Sequence, residues 1–247
     1  MSLYIEARIR ADLEDLWKHT QEPALHQRWD LRFTEITYLP CADGEPQHFR
    51  YATRVLPFLT IAGTGVSAGE KRRADGTRTS ALRFACPHPL SLLEEGSGYW
   101  RYVPEEGQGE GHEADGIRFL TGYDYRPRWG WLGALADRAA FRPLMGWATA
   151  WSFDRLRLWL ERGITPERAL LNAVADVALR LLGVTAAVLF APMTALAAAA
   201  LAVILPPLPT TPAARRCLRT PPARTRAPRV LSTLSTLAPL ATVKEPS

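Results

Sequence analysis

The sequence predicts an α+β domain: a curved antiparallel sheet of about seven strands around a long C-terminal helix, with a hydrophobic helix appended. Three observations predict it. Successive runs of period-two alternation are separated by short turn signals, which makes neighbouring strands antiparallel. Gly63, Gly65 and Gly69 fall inside one of those runs, where glycine marks bends or close packing. From Pro143 to Gly163 the period changes, and Leu144, Met145, Trp147, Trp151, Phe153, Leu156, Leu158, Trp159 and Leu160 coat most of a helix. A helix apolar nearly all round is a buried one, and only the preceding strands are there to wrap it.

Each element has its own signal. Leu3 to Arg10 alternates Leu3, Ile5, Ala7 and Ile9 against Tyr4, Glu6, Arg8 and Arg10, a first strand. Asp12 is an N-cap with Asp15 three residues on, starting a short helix through Lys18. A second short helix follows Pro23 and reaches Trp29. Strands are then predicted over 32–39, closed by Pro40 and the Asp43-Gly44 turn, and over 47–56, with Phe49, Tyr51, Thr53 and Val55 on one face. The glycine-bent run 60–70 and the strand 77–86 flank the Asp75-Gly76 hairpin signal. A long strand, 91–103, carries Tyr99, Trp100 and Tyr102, and the acidic, glycine-rich stretch 105–115 reads as an exposed hairpin loop. In the last strand Ile117, Phe119, Thr121, Tyr123 and Tyr125 share a face opposite Arg118, Leu120, Gly122 and Asp124, before Pro127 and Gly130 end it.

Charge divides the chain. Residues 1–166 carry 21 Lys/Arg and 22 Asp/Glu, whereas 167–247 carry 9 and 3, so the tail accounts for the whole formal net charge of +5. The body has no clustered basic face with a recognisable motif, and no nucleic-acid partner is expected. The start, MSLYIEARIR, has no apolar core of the kind a secretory signal needs. Cys41, Cys86 and Cys217 are too scattered for a disulfide framework or a zinc site and read as thiols of a reducing compartment.

The order β-α-α-β6-α, together with GSGYWRY (96–102), RFLTGYDY (118–125) and FRPLMGWATAWSFDRLRLWLERG (141–163), resembles the START-like helix-grip superfamily (SRPBCC), which includes the polyketide cyclase/dehydrase and lipid-transfer group. The resemblance covers residues 1–166 and implies an internal apolar cavity between sheet and helix. It implies no universal catalytic motif, so it carries the fold further than the function. The domain division that follows is a helix-grip body over 1–166, an amphipathic lead-in and hydrophobic segment over 167–205, and a Pro/Arg-rich disordered tail over 206–247.

Leu181 to Leu205 is 25 residues without a charge, long enough to cross a hydrocarbon core as one helix. Orientation is open. Arg215, Arg216, Arg219, Arg224, Arg226 and Arg229 would hold the tail in the cytoplasm by the positive-inside rule, and the body is expected there too. Both hold if the segment enters and returns as a hairpin kinked at Pro192 or lies in the interface; otherwise the tail crosses against the rule. The expected location is the cytoplasmic face of the cell membrane.

The candidate cavity lining is aromatic: Phe84, Trp100, Tyr102, Phe119, Tyr123, Trp147 and Trp151. Rings of this kind also simply fill cores, but as a set they suit a hydrophobic small molecule or lipid. Arg118 and Asp124 read as an outer-face pair and Asp154-Arg155 as an anchor of helix to sheet. The five histidines show no metal spacing, and His26, near Trp29, reads as a surface or capping residue, with the cavity mouth as the alternative. No nucleophile elbow, P-loop or Rossmann fingerprint is present, and no cofactor or metal is expected. The leading expectation is a membrane-tethered binding domain without established catalysis, with enzymatic activity left open. The rival is a polyketide cyclase/dehydrase-like enzyme in which cavity Arg, Tyr or Asp groups, Arg118 and Tyr123 among them, polarise a carbonyl or move a proton.

Overall fold

Period-two alternation becomes strand wherever the sequence predicts it. The computed structural model describes residues 3–105 and 116–222. The elements run β1 (Leu3–Ile9), α1 (Leu13–Gln21), α2 (Pro23–Trp29), β2 (Glu35–Tyr38), β3 (His48–Leu56), β4 (Leu59–Arg72), β5 (Arg78–Ala85), β6 (Leu93–Glu105) and β7 (Gly116–Pro127). The seven strands form one antiparallel sheet in the order β1-β7-β6-β5-β4-β3-β2. Each strand from β2 onward pairs with the next, and β1 closes the far edge beside β7. Asp12 caps α1, its Oδ1 accepting from Glu14 N at 2.8 Å and Asp15 N at 3.2 Å. The loop predicted over 105–115 falls, beyond Glu105, outside the described residues.

The long helix starts earlier than the sequence suggests. After β7 the chain turns through Trp129 and Gly130, both left-handed at φ 65° and 55°. It enters α3 (Gly130–Ala136), passes a π-helical turn (Asp137–Phe141) and continues as α4 (Arg142–Arg162). Gly163, also left-handed, ends α4. The expectation of a helix buried all round holds only for part of it. From Thr149 to Leu156 every α4 residue is buried, but Leu144 and Trp147 are 60 % and 44 % exposed. The sheet grips the middle of α4 and leaves its first turns wet.

Beyond Gly163 two helices form a hairpin: α5 (Pro166–Phe190) runs out, a short turn at Pro192–Thr194 reverses it, and α6 (Ala195–Ile204) packs back along α5. The segment expected to begin a disordered tail then returns to the body. Thr211 to Ala214 and Cys217 are buried, and Leu218 bridges to Glu6 of β1 through two backbone hydrogen bonds of 2.9 and 2.8 Å. Asp154 explains the return. Its buried carboxylate accepts from Ala213 N (2.8 Å), Arg216 (2.9 Å) and Arg157 (2.7 Å). Asp154 therefore anchors the helix to this returning strap rather than to the sheet. Arg155 donates to the Pro166 carbonyl at 2.9 Å and fixes the start of α5. Residues 223–247 lie outside the described part of the chain.

Candidate functional site

The inner face of the sheet is closed at one end and half-open at the other. At the closed end Ile5 and Ile9 of β1, Phe119 of β7, Tyr102 of β6, Trp29 of α2 and Phe153 of α4 are at most 1 % exposed. Phe119 stacks on Phe153 with ring centroids 4.4 Å apart. Tyr102 meets Thr20 Oγ1 at 2.6 Å and accepts from Gln21 Nε2 at 3.0 Å. A side chain with no accessible surface borders no space large enough for water. Tyr102 and Phe119, expected in a ligand lining, are therefore core, and their packing closes this end against the helices.

At the other end the inward residues of β3 to β5 are only half-buried: Phe49, Tyr51, Leu82 and Phe84, joined by Phe33 from the loop after α2. Cross-strand pairing puts three of these rings opposite glycines, Phe49 against Gly65, Tyr51 against Gly63 and Phe84 against Gly96. A Cβ on any of these glycines would overlap the ring. The rings consequently lie flat along the sheet instead of standing up from it, and the result is a smooth aromatic floor. Gly63 and Gly65 were legible as bends; their service to the rings appears only once the strands are in register.

Between the two ends sits a polar cluster that sequence reasoning missed. Asp30, fully buried just after α2, accepts from Arg32 Nε (2.9 Å) and Arg32 NH2 (2.6 Å), and from His26 Nε2 (3.2 Å). The His26 ring stacks on Trp29 (4.9 Å) and meets Trp100 (4.8 Å) and Phe33 (5.5 Å) edge-on. Phe33 in turn reaches Tyr51 at 5.6 Å, so one line of rings links the core to the open floor. Expected on the surface, His26 is instead the hinge of this line. The Arg32 guanidinium lies 5.5 Å from the Tyr123 ring centre. Thr149 gives its hydroxyl proton to the Met145 carbonyl (2.8 Å), which leaves the Tyr123 hydroxyl to donate to Thr149 at 3.1 Å.

Burial lowers the His26 pKa, and the Asp30 carboxylate offsets only part of that. Burial pushes Asp30 up, yet the attraction of Arg32 and the hydrogen bonds from Arg32 and His26 outweigh it and hold the carboxyl well below the usual range. Near neutral pH the cluster is thus a carboxylate, a guanidinium and a neutral imidazole, with no net charge. Neutral His26 carries its proton on Nε2 toward Asp30 and keeps Nδ1 as the acceptor.

Of the remaining expected lining residues, Trp100 and Trp151 border the core at 8 % exposure each, and Trp147 lies 6.4 Å from Trp151 but on the wet first turns of α4. Phe84 belongs to the open floor and Tyr123 to the polar cluster. Arg118 faces outward, 3.6 Å from Glu105, and Asp124 is exposed. Period two places both opposite Tyr123, so neither can act inside.

No protein-family model matches the chain. A Bacillus subtilis (strain 168) protein, "Uncharacterized membrane protein YndG", is 46 % identical over 175 residues, 71 % of this chain. The chain spans 63 % of that relative's length. Among solved structures, a STAR-related lipid transfer protein from Xanthomonas axonopodis is similar at 18 % identity and TM-score 0.47, covering 65 % of this chain and 86 % of that one. Human StAR-related lipid transfer protein 5 is similar at 16 % identity and TM-score 0.45, covering 65 % and 76 %. The di-domain ARO/CYC StfQ from the steffimycin biosynthetic pathway follows at 10 % identity and TM-score 0.44, covering 65 % and 50 %. Likenesses at these values bear on neither ligand nor activity. The fold rests on the chain's own topology: two short helices after β1, six hairpin-joined strands, and a long helix held by the sheet. It is a START-like helix-grip fold.

Proposed function

We propose that this protein binds a hydrophobic small molecule or lipid on the aromatic floor of its sheet and is held on the cytoplasmic face of a membrane by Leu181 to Leu205. The carrying observation is the burial gradient. Ile5 and Ile9 of β1, the inward side chains of β7, and Trp100 and Tyr102 of β6 are buried, yet Phe33, Phe49, Tyr51, Leu82 and Phe84 stay half-covered on the same surface. Covering about 400 Å² of apolar surface, counted on ligand and protein together, contributes ~10 kcal/mol. Association costs at least ~4 kcal/mol, which leaves affinity in the range of tens of micromolar. The neutral polar cluster at the inner end suits an uncharged polar group on the guest, and Trp100 and Tyr123 border it. The test is a diazirine-bearing fatty acid photocrosslinked to the full chain at such concentrations. Labelled peptides should contain Phe49, Tyr51 or Phe84, and Tyr51→Arg with Phe84→Arg should abolish that label. Label confined to the hairpin peptides would overturn the binding reading.

One observation favours an acid–base reading: a part-buried imidazole oriented by a buried carboxylate, the pairing by which proton-transfer sites hold a base. In that reading His26 Nδ1 takes a proton from the guest and Asp30 steadies the imidazolium. Arg118 has no part in it. A poly-β-ketone thioester offered to the protein should cyclise, and His26→Gln should slow this by about a hundredfold. No turnover by the unaltered chain removes this reading and leaves binding.

A further inference from the structure

The hairpin after the body carries its own depth gauge. Leu181 to Leu205 contains no charge, and its bulky side chains point outward, with Phe190 86 %, Met193 96 % and Leu196 87 % exposed. The half-covered residues are small ones, Val184 and Ala187 on α5 and Ala195, Ala198, Ala199 and Ala202 on α6. Small residues form the seam that lets the two helices approach, and large ones face away, the reverse of a water-soluble hairpin.

At the base this pattern stops abruptly. Arg180, paired with Asp176 at 3.2 Å, donates to the carbonyls of Ala202 (2.7 Å), Leu205 (2.9 Å) and Pro206 (2.9 Å). The strap that follows is irregular and proline-rich, and its carbonyls are taken one after another by charged or amide side chains. Arg216 reaches Pro207 and Leu208 at 3.2 and 3.0 Å, Arg162 reaches Pro209 at 3.2 Å, and Asn172 reaches Thr210 at 3.0 Å. Irregular backbone held by guanidinium groups is excluded from hydrocarbon, where each arginine costs ~3 kcal/mol or more. The hydrocarbon boundary therefore lies at Arg180 and Leu205. From there to the tip α5 has ten residues, Leu181 to Phe190, about 15 Å, which is half of a hydrocarbon core ~30 Å thick. Crossing with the whole of α5 would drag Asp176, Arg180 and the strap into lipid.

We propose that the hairpin enters one leaflet only, with its tip at Phe190 to Met193 near the bilayer midplane, and that body and strap stay on the same face. This rests on the reading that the chain is membrane-attached, and it decides between the topologies that reading leaves open. The strap's carbonyl partners make Arg162, Arg180 and Arg216 the collar at headgroup level.

The test uses the full chain with Cys41→Ser and Met193→Cys, and separately Phe190→Cys, each thiol carrying NBD, bound to phosphatidylcholine vesicles containing phosphatidylglycerol. The expected result is binding that survives high salt, quenching strongest by lipids with a doxyl group near the end of the acyl chain, and loss of quenching by iodide on either side. Protein washed off by salt would overturn attachment and the inference together. Bound protein quenched by iodide trapped inside the vesicles would keep attachment and overturn the single-leaflet topology, and quenching by external iodide would place the hairpin on the surface and overturn it too. NBD already shielded before vesicles are added, in a dimer, would assign the hairpin to a second copy of the chain instead.

Discussion

Two residues, His26 and Asp154, show how far a side chain's role depends on what the fold brings to it. His26 has no informative sequence neighbour for metal or base chemistry, and it becomes largely covered only because Trp29, Trp100 and Phe33 converge on it. Its folded pKa lies below the unfolded value near 6.5. The unfolded state therefore binds more protons between the two values, and the stability contributed by neutral His26 is full above about pH 6.5 and falls as pH drops toward the folded pKa. The urea midpoint of the full chain should decrease from pH 7.5 to 5.5, at a slope of up to about 1.4 kcal/mol per pH unit from this group. His26→Gln should flatten that dependence. Asp154 was legible as a charge within an apolar helix and as an anchor; its partners, some sixty positions later in a segment without periodicity, were not. Asp154→Ala removes the acceptor shared by Arg157, Arg216 and the Ala213 N–H, leaves that buried N–H unanswered and should cost ~3 kcal/mol in urea unfolding. It should also open the strap near Arg216 to trypsin.

Strands were the legible elements, because a half-buried strand must alternate and hairpin turns need Asp-Gly or proline chemistry. All seven were visible, with boundaries off by a few residues; the β2 region is shorter than expected because Arg32 and Phe33 leave the sheet to build the site. α3 was not visible. GWLGALADRAAF has two glycines and no capping side chain, so its helical path is set by contacts elsewhere: Asp137 accepts from the Tyr125 hydroxyl and from Arg142 at 2.9 Å, which holds the π turn against β7. Gly133 lets this helix begin, since a Cβ there would run into the backbone carbonyl of Arg128. A carbonyl in a turn cannot swing aside as a side chain can. Gly133→Ala should detach α3, lowering its amide protection in hydrogen exchange while β1 to β7 keep theirs. The floor glycines behave differently. Gly65→Ala would force the Phe49 ring upright into the trough, costing about 1–3 kcal/mol and blocking the fatty-acid photocrosslink. Both losses from one methyl would mark that position as part of the floor.

Over the whole molecule, the body was legible to Gly163 and the final eighty residues only in their hydropathy. A charge-free run marks a segment apolar and long enough to span; it does not say whether the chain crosses or returns, and on that point the single-leaflet proposal rests on Arg180 and Arg216 finding carbonyls. The body consequently does not end where its helix-grip resemblance ends. A chain cut after Leu205 loses the Ala213, Arg216 and Leu218 contacts and should melt well below the full chain, by the several degrees that a loss of ~3 kcal/mol produces. Gripped helix, half-open floor and uncharged hairpin are the features behind the proposal of an oily guest held beside the membrane. Native mass spectrometry of the intact chain released from lipid nanodiscs tests this most directly. The account predicts one apolar molecule retained per chain and lost from the variant carrying Tyr51→Arg and Phe84→Arg. A bare chain under the same conditions, or a guest retained equally by that variant, would contradict it.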